Sequence, residues 1–282
     1  MKGIQVWELP TGRPLARFET GWVRQLVFTP DGQRLITVGP EGMRVWEIAT
    51  GQEIWRHANV ERLHDYTDVG SFASSLTVAP DGRTMATGHP DTTILIWDLL
   101  PAPRGERPHV GPLTAAEKDR AWSDLAGADA RRAYTAMGGL AVAPAQAVAL
   151  LRERLRPVAA VSPELLVRLL ADLDSGAYKQ RTPAAQQLVE LDELAEQALR
   201  GALKRRPSLE QRQRIEQILA APGLVRSPAT LRGLRAIQVL ERVGTPEARQ
   251  TLQVLAKGPA EARVTRAAKG SLERMAKQGA SP

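Results

Sequence analysis

The sequence predicts a multidomain β + α protein, in which an array of short strands precedes a series of helices. Five of the six tryptophans, all three phenylalanines and all four histidines lie in residues 1–113. Charge changes at the same place, from 11 Lys+Arg against 13 Asp+Glu in that segment to 27 against 18 in residues 114–282. Apolar residues change there from short runs bounded by turn residues to a helical period. These observations divide the chain into a β domain (1–100), a Pro- and Gly-rich linker (101–113) and a helical domain (114–282).

Two segments of the β domain repeat each other. Residues Val27–Gly39 and Val78–Gly88 each consist of an apolar run, a Pro-Asp-Gly turn and a second apolar run. Glycine accepts a positive φ and aspartate bonds to the local backbone, so this turn suits a hairpin. The pattern therefore predicts two hairpins, with Asp31-Gly32 and Asp81-Gly82 at their tips.

Each hairpin precedes a strand that ends in tryptophan and an acidic residue. These strands are Met43–Glu47 and Ile94–Asp98, and Ile4–Glu8 is a third copy without its hairpin. The three tryptophans, separated by 39 and 51 residues, are Trp7, Trp46 and Trp97. A period of roughly 40–45 residues is typical of β-propeller blades, so the longer interval predicts an insertion of about ten residues within His57–Ser71.

This combination of Pro-Asp-Gly turn and terminal Trp-Asp resembles the WD-repeat family, whose fold is a β-propeller of four-stranded blades. The resemblance implies a partial propeller of about two blades plus a half. It also implies a structural rather than catalytic role for the residues that match the repeat: Trp7, Asp31, Gly32, Trp46, Asp81, Gly82, Asp91, Trp97 and Asp98. The Gly-His pair that usually opens a repeat is missing, and Gly21-Trp22 stands in its place in one repeat. We therefore expect the family's hydrogen-bonded set of Asp, His, Ser/Thr and Trp to be incomplete.

Two blades and a half are too few to close a ring, because propellers usually have about four to eight blades. Nor is an outer strand predicted between Trp97 and the prolines of the linker. We expect the chain to be the C-terminal part of a larger protein, or to begin at a misassigned start. The alternative is self-association, or pairing with another chain, through the open propeller edge.

The helical domain is predicted to contain consecutive helices joined by short loops, which is the α-solenoid pattern. The predicted helices are Ala115–Leu125, Ala128–Val142, Pro144–Leu155, Pro163–Leu173, Tyr178–Leu191, Glu193–Lys204, Pro207–Leu219, Pro228–Val243, Pro246–Ala256 and Pro259–Lys277. Thr114 and Glu117 have the spacing of a capping box. In Pro228–Val243, we expect Arg232, Arg235 and Arg242 to form the polar face.

The segment Ala171–Leu203 resembles a HEAT-type helix pair. The order of propeller, Pro-rich linker and HEAT-like tail is similar to a class of large bacterial WD-repeat proteins, in which a protein kinase or another module can precede the propeller. This sequence has no glycine-rich phosphate loop and no HRD or DFG motif. An open alternative is therefore that the chain is the tail of an enzyme whose catalytic module it lacks.

The sequence offers few candidates for chemistry, and we predict no catalytic, cofactor-binding or metal site. Cysteine is absent, which excludes disulfides and thiolate chemistry. A functional interpretation would make His64-Asp65, beside Tyr66 and Asp68, a catalytic base or a metal cluster. We prefer the interpretation that these residues belong to a solvent-facing polar loop. We interpret the isolated His57 and His89 in the same way.

The basic helical domain raises nucleic-acid binding as an alternative, since arginine clusters such as Arg152–Arg156, Lys204–Arg206 and Arg212–Arg214 could hold phosphates. Interspersed glutamates and the scarcity of aromatic residues for base stacking argue against it. We therefore predict a non-catalytic scaffold for protein–protein interaction with an unknown protein partner. We expect no membrane contact and a cytoplasmic location, although a missing N-terminus could carry a signal.

Overall fold

The computed structural model describes residues 3–9, 13–57, 75–89, 92–100, 112–220 and 225–279. Within these ranges, nine strands precede ten helices. Small antiparallel sheets form the N-terminal part, and helices form the C-terminal part. The following predicted features lie outside the described residues: Asp91, residues 101–111 of the linker, and residues 58–71 of the insertion, which include His64, Asp65, Tyr66 and Asp68.

The strands form three antiparallel sheets in which chain order equals spatial order. The first sheet consists of β1 (Ile4–Glu8) and β2 (Arg13–Phe18). The second sheet consists of β3 (Gln25–Phe28), β4 (Arg34–Gly39), β5 (Gly42–Glu47) and β6 (Glu53–His57). The third sheet consists of β7 (Ser75–Val78), β8 (Thr84–Gly88) and β9 (Ile94–Asp98). Strands β3 and β7 lie side by side, so the first strands of the two larger sheets are neighbours.

The two hairpin tips have the same geometry. Gly32 and Gly82 have φ values of +66° and +67°, a region that glycine enters without strain. Asp31 Oδ1 accepts a hydrogen bond from the backbone of Gln33 at 3.0 Å, and Asp81 Oδ1 accepts one from Arg83 at 2.9 Å. The acidic side chain thus closes each turn over the strand that follows it.

The helices confirm the boundaries expected from periodicity and caps to within a few residues. They are α1 (Ala115–Ala126), α2 (Ala130–Ala141), α3 (Pro144–Arg154), α4 (Pro163–Leu173), α5 (Tyr178–Leu191), α6 (Glu193–Lys204), α7 (Leu209–Ala220), α8 (Pro228–Val243), α9 (Pro246–Leu255) and α10 (Arg263–Gly279). The capping box of Thr114 and Glu117 is present. The prediction that helices begin at Pro207 and Pro259 is wrong, because Ser208 caps α7 and a turn from Pro259 to Ala262 precedes α10.

The helices divide into two sets with separate cores. Helices α1, α2, α3, α8, α9 and α10, here the docked set, share one apolar core with the second and third sheets, including Ile36, Leu99, Leu125 and Leu240. Helices α4 to α7, here the α4–α7 bundle, enclose a core of their own that includes Leu199. The central helix α8 carries the most buried residues of the docked set and packs against α1, α2, α9 and α10.

No single helix among the described residues is long and apolar enough to cross a membrane. Helices α2 and α3 pass that test only as a pair, by length and composition, and they are bent by 118°.

Candidate functional site

The tryptophans of the two larger sheets make the same hydrogen bond. Trp46 Nε1 donates to Thr37 Oγ1 at 3.0 Å, and Trp97 Nε1 donates to Thr87 Oγ1 at 2.9 Å. Thr87 Oγ1 also lies 2.9 Å from His89 Nε2. Sequence reasoning missed both threonines, although each stands six residues after the aspartate of its Pro-Asp-Gly turn.

Two of the histidines differ from the isolated residues that we expected. His57 ends β6, and its ring centroid lies 4.7 Å from that of Trp97. His89 belongs to the Trp97–Thr87 group described above. The expectation of isolated loop histidines is therefore wrong for these two, because both contact residues of the third sheet.

In the two larger sheets, the acidic residue after the repeat tryptophan binds helix α8. Glu47 receives two hydrogen bonds from Arg235, Nε to Oε1 and Nη2 to Oε2, both 2.7 Å long. Asp98 Oδ2 lies 2.5 Å from Arg242 Nη2. The two arginines are seven residues apart, about two helical turns, and therefore point from the same face of α8. One helix thus binds the same repeat position in two successive sheets.

The prediction that Arg235 lies on an exposed polar face of α8 is wrong, because this residue is buried. Its side chain is 1% exposed, and its Nη1 also donates to the carbonyl oxygens of Leu125 and Gly127, at 2.9 and 2.7 Å. Bidentate arginine–carboxylate pairs combine charge with fixed geometry, so this buried pair fixes the orientation of α8 on the second sheet.

The end of β9 is held by two further donors from the rest of the fold. Arg34 Nη1 and Tyr134 Oη each donate to the carbonyl of Leu99, at 2.6 Å. Arg34 also reaches Gln238 of α8 at 2.5 Å. Burial raises the pKa of Tyr134 to about 12, so its hydroxyl keeps its proton through neutral pH.

The remaining repeat tryptophan lies in a different environment. Trp7 is 54% exposed, whereas Trp46 is 5% exposed. Among the described residues, β1 pairs only with β2, whereas β5, which carries Trp46, lies between β4 and β6. Among these residues, therefore, Trp7 has a neighbouring strand on one side only. Ile94 and Ile96 lie on β9, which is an edge strand of the third sheet among the described residues, and they are 71% and 68% exposed.

An open groove runs between α4 and α6, and we call it the α4–α6 groove. Its volume is about 1530 Å³. Its lining combines apolar residues (Leu166, Val167, Leu170, Leu194, Ala198, Gly201) with cations (Arg200, Lys204, Arg205, Arg263, Arg266) and acids (Asp174, Glu193, Glu196, Glu261). A second cleft of about 420 Å³ lies between the Asp31 turn, α8 and α10. In that cleft Arg274 pairs with Glu241 at 2.7 Å, and this bond raises the pKa of Arg274.

Several predicted basic residues are occupied in ion pairs. Arg154 pairs with Asp119 at 2.6 Å, Arg214 with Glu210, and Arg263 with Glu193 at 3.3 Å. Over the part of the chain that the structure describes, no group of three or more His, Asp or Glu side chains could hold a metal ion. These three arginines are thus held in local ion pairs.

No family model matches the chain. It is 27% identical over 104 residues to the B-type cell cycle switch protein ccs52A of Medicago truncatula, a match that covers 36% of this chain and 21% of that protein. It is 37% identical over 100 residues to the Lissencephaly-1 homolog of Dictyostelium discoideum, and 38% identical over 100 residues to that of Heterostelium pallidum; each match covers 35% of this chain and 22% of the relative. The chain thus spans about a fifth of the length of these curated relatives, which are eukaryotic WD-repeat proteins. About a third of the chain is similar to the WD-repeat class.

Proposed function

We propose that this chain is a non-catalytic scaffold for protein–protein interaction. The observation that carries this proposal is the contrast between its fixed interior and its exposed apolar surface. The polar residues at the ends of the repeats hold α8 against the sheets, as Glu47 and Asp98 do with Arg235 and Arg242. Large apolar side chains are nevertheless exposed on strand β9 and on helix α4, including Ile94, Ile96 and Val167. Exposed apolar patches on a rigid body are typical of protein interaction sites.

We further propose that the sheets are blades of a WD-repeat propeller and that the helices are HEAT-like repeats. The equivalent Trp–Thr bonds in the second and third sheets support the first of these proposals. The nine repeat residues given above then have structural roles. The packing of consecutive short helices against one another in the α4–α7 bundle supports the second.

The scaffold proposal is tested by chemical cross-linking of the purified chain in an extract of its source cells, followed by mass spectrometry. We expect one or a few proteins to cross-link reproducibly and saturably at exposed residues of the β9 strand or of the α4–α7 bundle. In parallel, binding to duplex DNA and to RNA is measured at two salt concentrations. Tight binding that falls steeply with salt would replace the scaffold with a nucleic-acid-binding protein, since phosphate contacts release counterions.

We also propose that β9, an edge strand among the described residues, pairs with residues from a longer protein or from a second copy. An exposed apolar edge strand is a template for pairing, and the exposure of Ile94 and Ile96 supports this. Sequencing the coding frame upstream of Met1 and measuring the mass of the purified chain in solution separate the two sources. A stop codon just upstream together with a dimer that the Ile94→Lys variant dissociates would favour self-association. A stop codon together with a folded monomer would contradict both.

A further inference from the structure

We propose that the α4–α6 groove binds an amphipathic α-helix of a partner protein, with the apolar face of that helix on the groove floor and its acidic residues near the C-terminal end of α6. This inference rests on the proposed scaffold function and names one of its binding surfaces. It follows from the shape of the groove, from a second apolar stripe on each flanking helix, and from the cations at one end.

Helix α6 has apolar residues on two faces, although packing into the bundle requires only one. Ala195 and Leu199 are fully buried in the core of the α4–α7 bundle. Leu194, Ala198 and Gly201 line the groove instead, at the spacing i, i+4 and i+7. From Leu194 to Gly201 this second stripe covers about 10 Å, or roughly two helical turns. The stripe matches the contact length of a short docked helix.

Helix α4 repeats the pattern on the opposite wall. Leu169 and Leu173 face the core and are at most 2% exposed. Val167, which is 66% exposed, lines the groove together with Leu166 and Leu170, which are half-buried and also pack against the bundle core. Two helices with apolar stripes on either side of an open channel form a helix-in-groove site, which recognises residues at i, i+3, i+4 and i+7 of its occupant.

Gly201 gives a separate indication that the groove is kept open. A Cβ added at this position would meet nothing within 4 Å, so packing inside this chain does not require glycine there. Glycine in a helix interior is unfavourable relative to alanine. Together with the neighbouring Ala198, it leaves room for another backbone to approach α6 closely.

Charge determines the kind of helix that fits. Among the described residues, Arg200 pairs with Glu196 at 3.0 Å and Arg263 with Glu193 at 3.3 Å. Lys204 and Arg205 are exposed on the lining, and no ion pair joins either of them to a described residue within 4 Å. Lys204 lies in the last turn of α6 and Arg205 directly follows it, where the helix dipole already favours cations. Acidic residues of a partner would therefore be attracted to this end of the groove.

The test uses two fluorescein-labelled 18-residue peptides with leucine at i, i+3, i+4 and i+7, one with glutamate and one with lysine at the remaining positions. Fluorescence anisotropy measures their binding to the full chain. We expect saturable binding of the glutamate peptide and at least tenfold weaker binding of the lysine peptide. Equal binding of the two peptides, or displacement of the glutamate peptide by an equal concentration of a 20-nucleotide single-stranded DNA, would overturn the proposal.

Two glycine variants separate groove filling from general effects. Gly201→Leu places a side chain in the groove and should weaken binding of the glutamate peptide at least tenfold. Gly139→Leu is the matched control, because Gly139 is also a helical glycine with nothing within 4 Å of an added Cβ, and it lies on α2. We expect it to change binding less than twofold. Equal affinities of the two variants would contradict the groove as the binding site.

Charge reversal and a local probe complete the design. The Lys204→Glu/Arg205→Glu variant should lose affinity for the glutamate peptide about fivefold or more and gain affinity for the lysine peptide. Since the chain contains no cysteine, Val167→Cys accepts a single bimane label whose emission should shift to the blue when the peptide binds. A label at Val254→Cys on α9, where the native side chain is 46% exposed, should not respond. The same shift at both labels would refute the location.

Failure of the groove proposal can be distinguished from failure of the scaffold proposal. If the peptides do not bind but protein cross-links form on strand β9, the scaffold function stands and the groove proposal is wrong. If no protein cross-links form anywhere on the chain, the scaffold proposal itself is wrong.

Discussion

The two sets of helices use arginine in opposite ways. In the docked set, Arg235 is 1% exposed and pairs with Glu47, which is 188 residues away in the second sheet. In the α4–α7 bundle, Arg200 pairs with Glu196 one turn earlier on the same helix and remains half exposed. Arg200 has Glu196 four residues earlier, whereas Arg235 has Leu231 at that position and no acidic partner on its own helix turn. The comparison shows that the partner of Arg200 is visible in the local helix pattern, whereas the partner of Arg235 is supplied by tertiary structure.

The largest expected effect comes from breaking the buried pair. Arg235→Ala leaves the Glu47 carboxylate, whose side chain is 8% exposed, without its counter-charge. We expect the free energy of unfolding to fall by about 3–5 kcal/mol, measured by urea denaturation. Arg200→Ala is the matched control and should cost less than about 0.5 kcal/mol. Similar losses in the two variants would show that the docked helices do not depend on this pair.

A double variant sharpens the same prediction. Replacing Glu47 and Arg235 together by leucine removes both charges, and such replacements of buried pairs are often neutral or stabilising. Here we expect only partial recovery relative to Arg235→Ala, because the carbonyls of Leu125 and Gly127 also lose their donor. Full additivity of the two single changes in a double-mutant cycle would contradict direct coupling.

Two buried leucines test whether the two cores are independent. Leu199 and Leu240 are both fully buried, and replacement by alanine should cost about 2–5 kcal/mol at either position. Hydrogen exchange should locate the effects differently. Leu199→Ala should accelerate exchange in α4 to α7 alone, whereas Leu240→Ala should accelerate it in the sheets and the docked helices together. If Leu199→Ala accelerates exchange in the sheets equally, the two cores form one cooperative unit.

Local signals determined what could be predicted from sequence. Helices α5 and α6 begin and end at the predicted residues, because periodicity and punctuation act over a few residues. The burial of Arg235 could not be predicted, since it depends on a carboxylate 188 residues away. Strand β6 was not predicted from its own residues, because Glu53 and Arg56 interrupt its apolar pattern. Both charges bind each other at 2.8 Å in the folded protein.

The next largest expected effect is a loss of stability at alkaline pH, caused by the ionisation of Tyr134. Burial raises its pKa to about 12, above the usual value of 10.0, so folding favours its neutral form. Its contribution is complete below pH 10 and is lost as the pH rises from 10 towards 12, because the unfolded state then binds fewer protons. We expect a loss on the order of 2 kcal/mol across this interval, measured by urea denaturation at several pH values. The Tyr134→Phe variant should lack this component, and an unchanged slope in that variant would contradict the assignment.

The smallest effect compares the two Trp–Thr bonds and tests whether equivalent bonds in successive sheets contribute equally. Thr37→Val and Thr87→Val each remove the hydroxyl that accepts from tryptophan Nε1 with little change of shape. Trp46 is 5% exposed, so its orphaned N–H cannot reach water, and we expect a loss of about 1–3 kcal/mol. Trp97 is only partly buried, and water can replace the lost acceptor, so Thr87→Val should cost about 1 kcal/mol or less. Thr37→Ser retains the hydroxyl and should recover most of the stability in urea denaturation. A larger loss in Thr87→Val than in Thr37→Val would show that the bond between Thr87 and His89, rather than the burial of tryptophan, dominates this position.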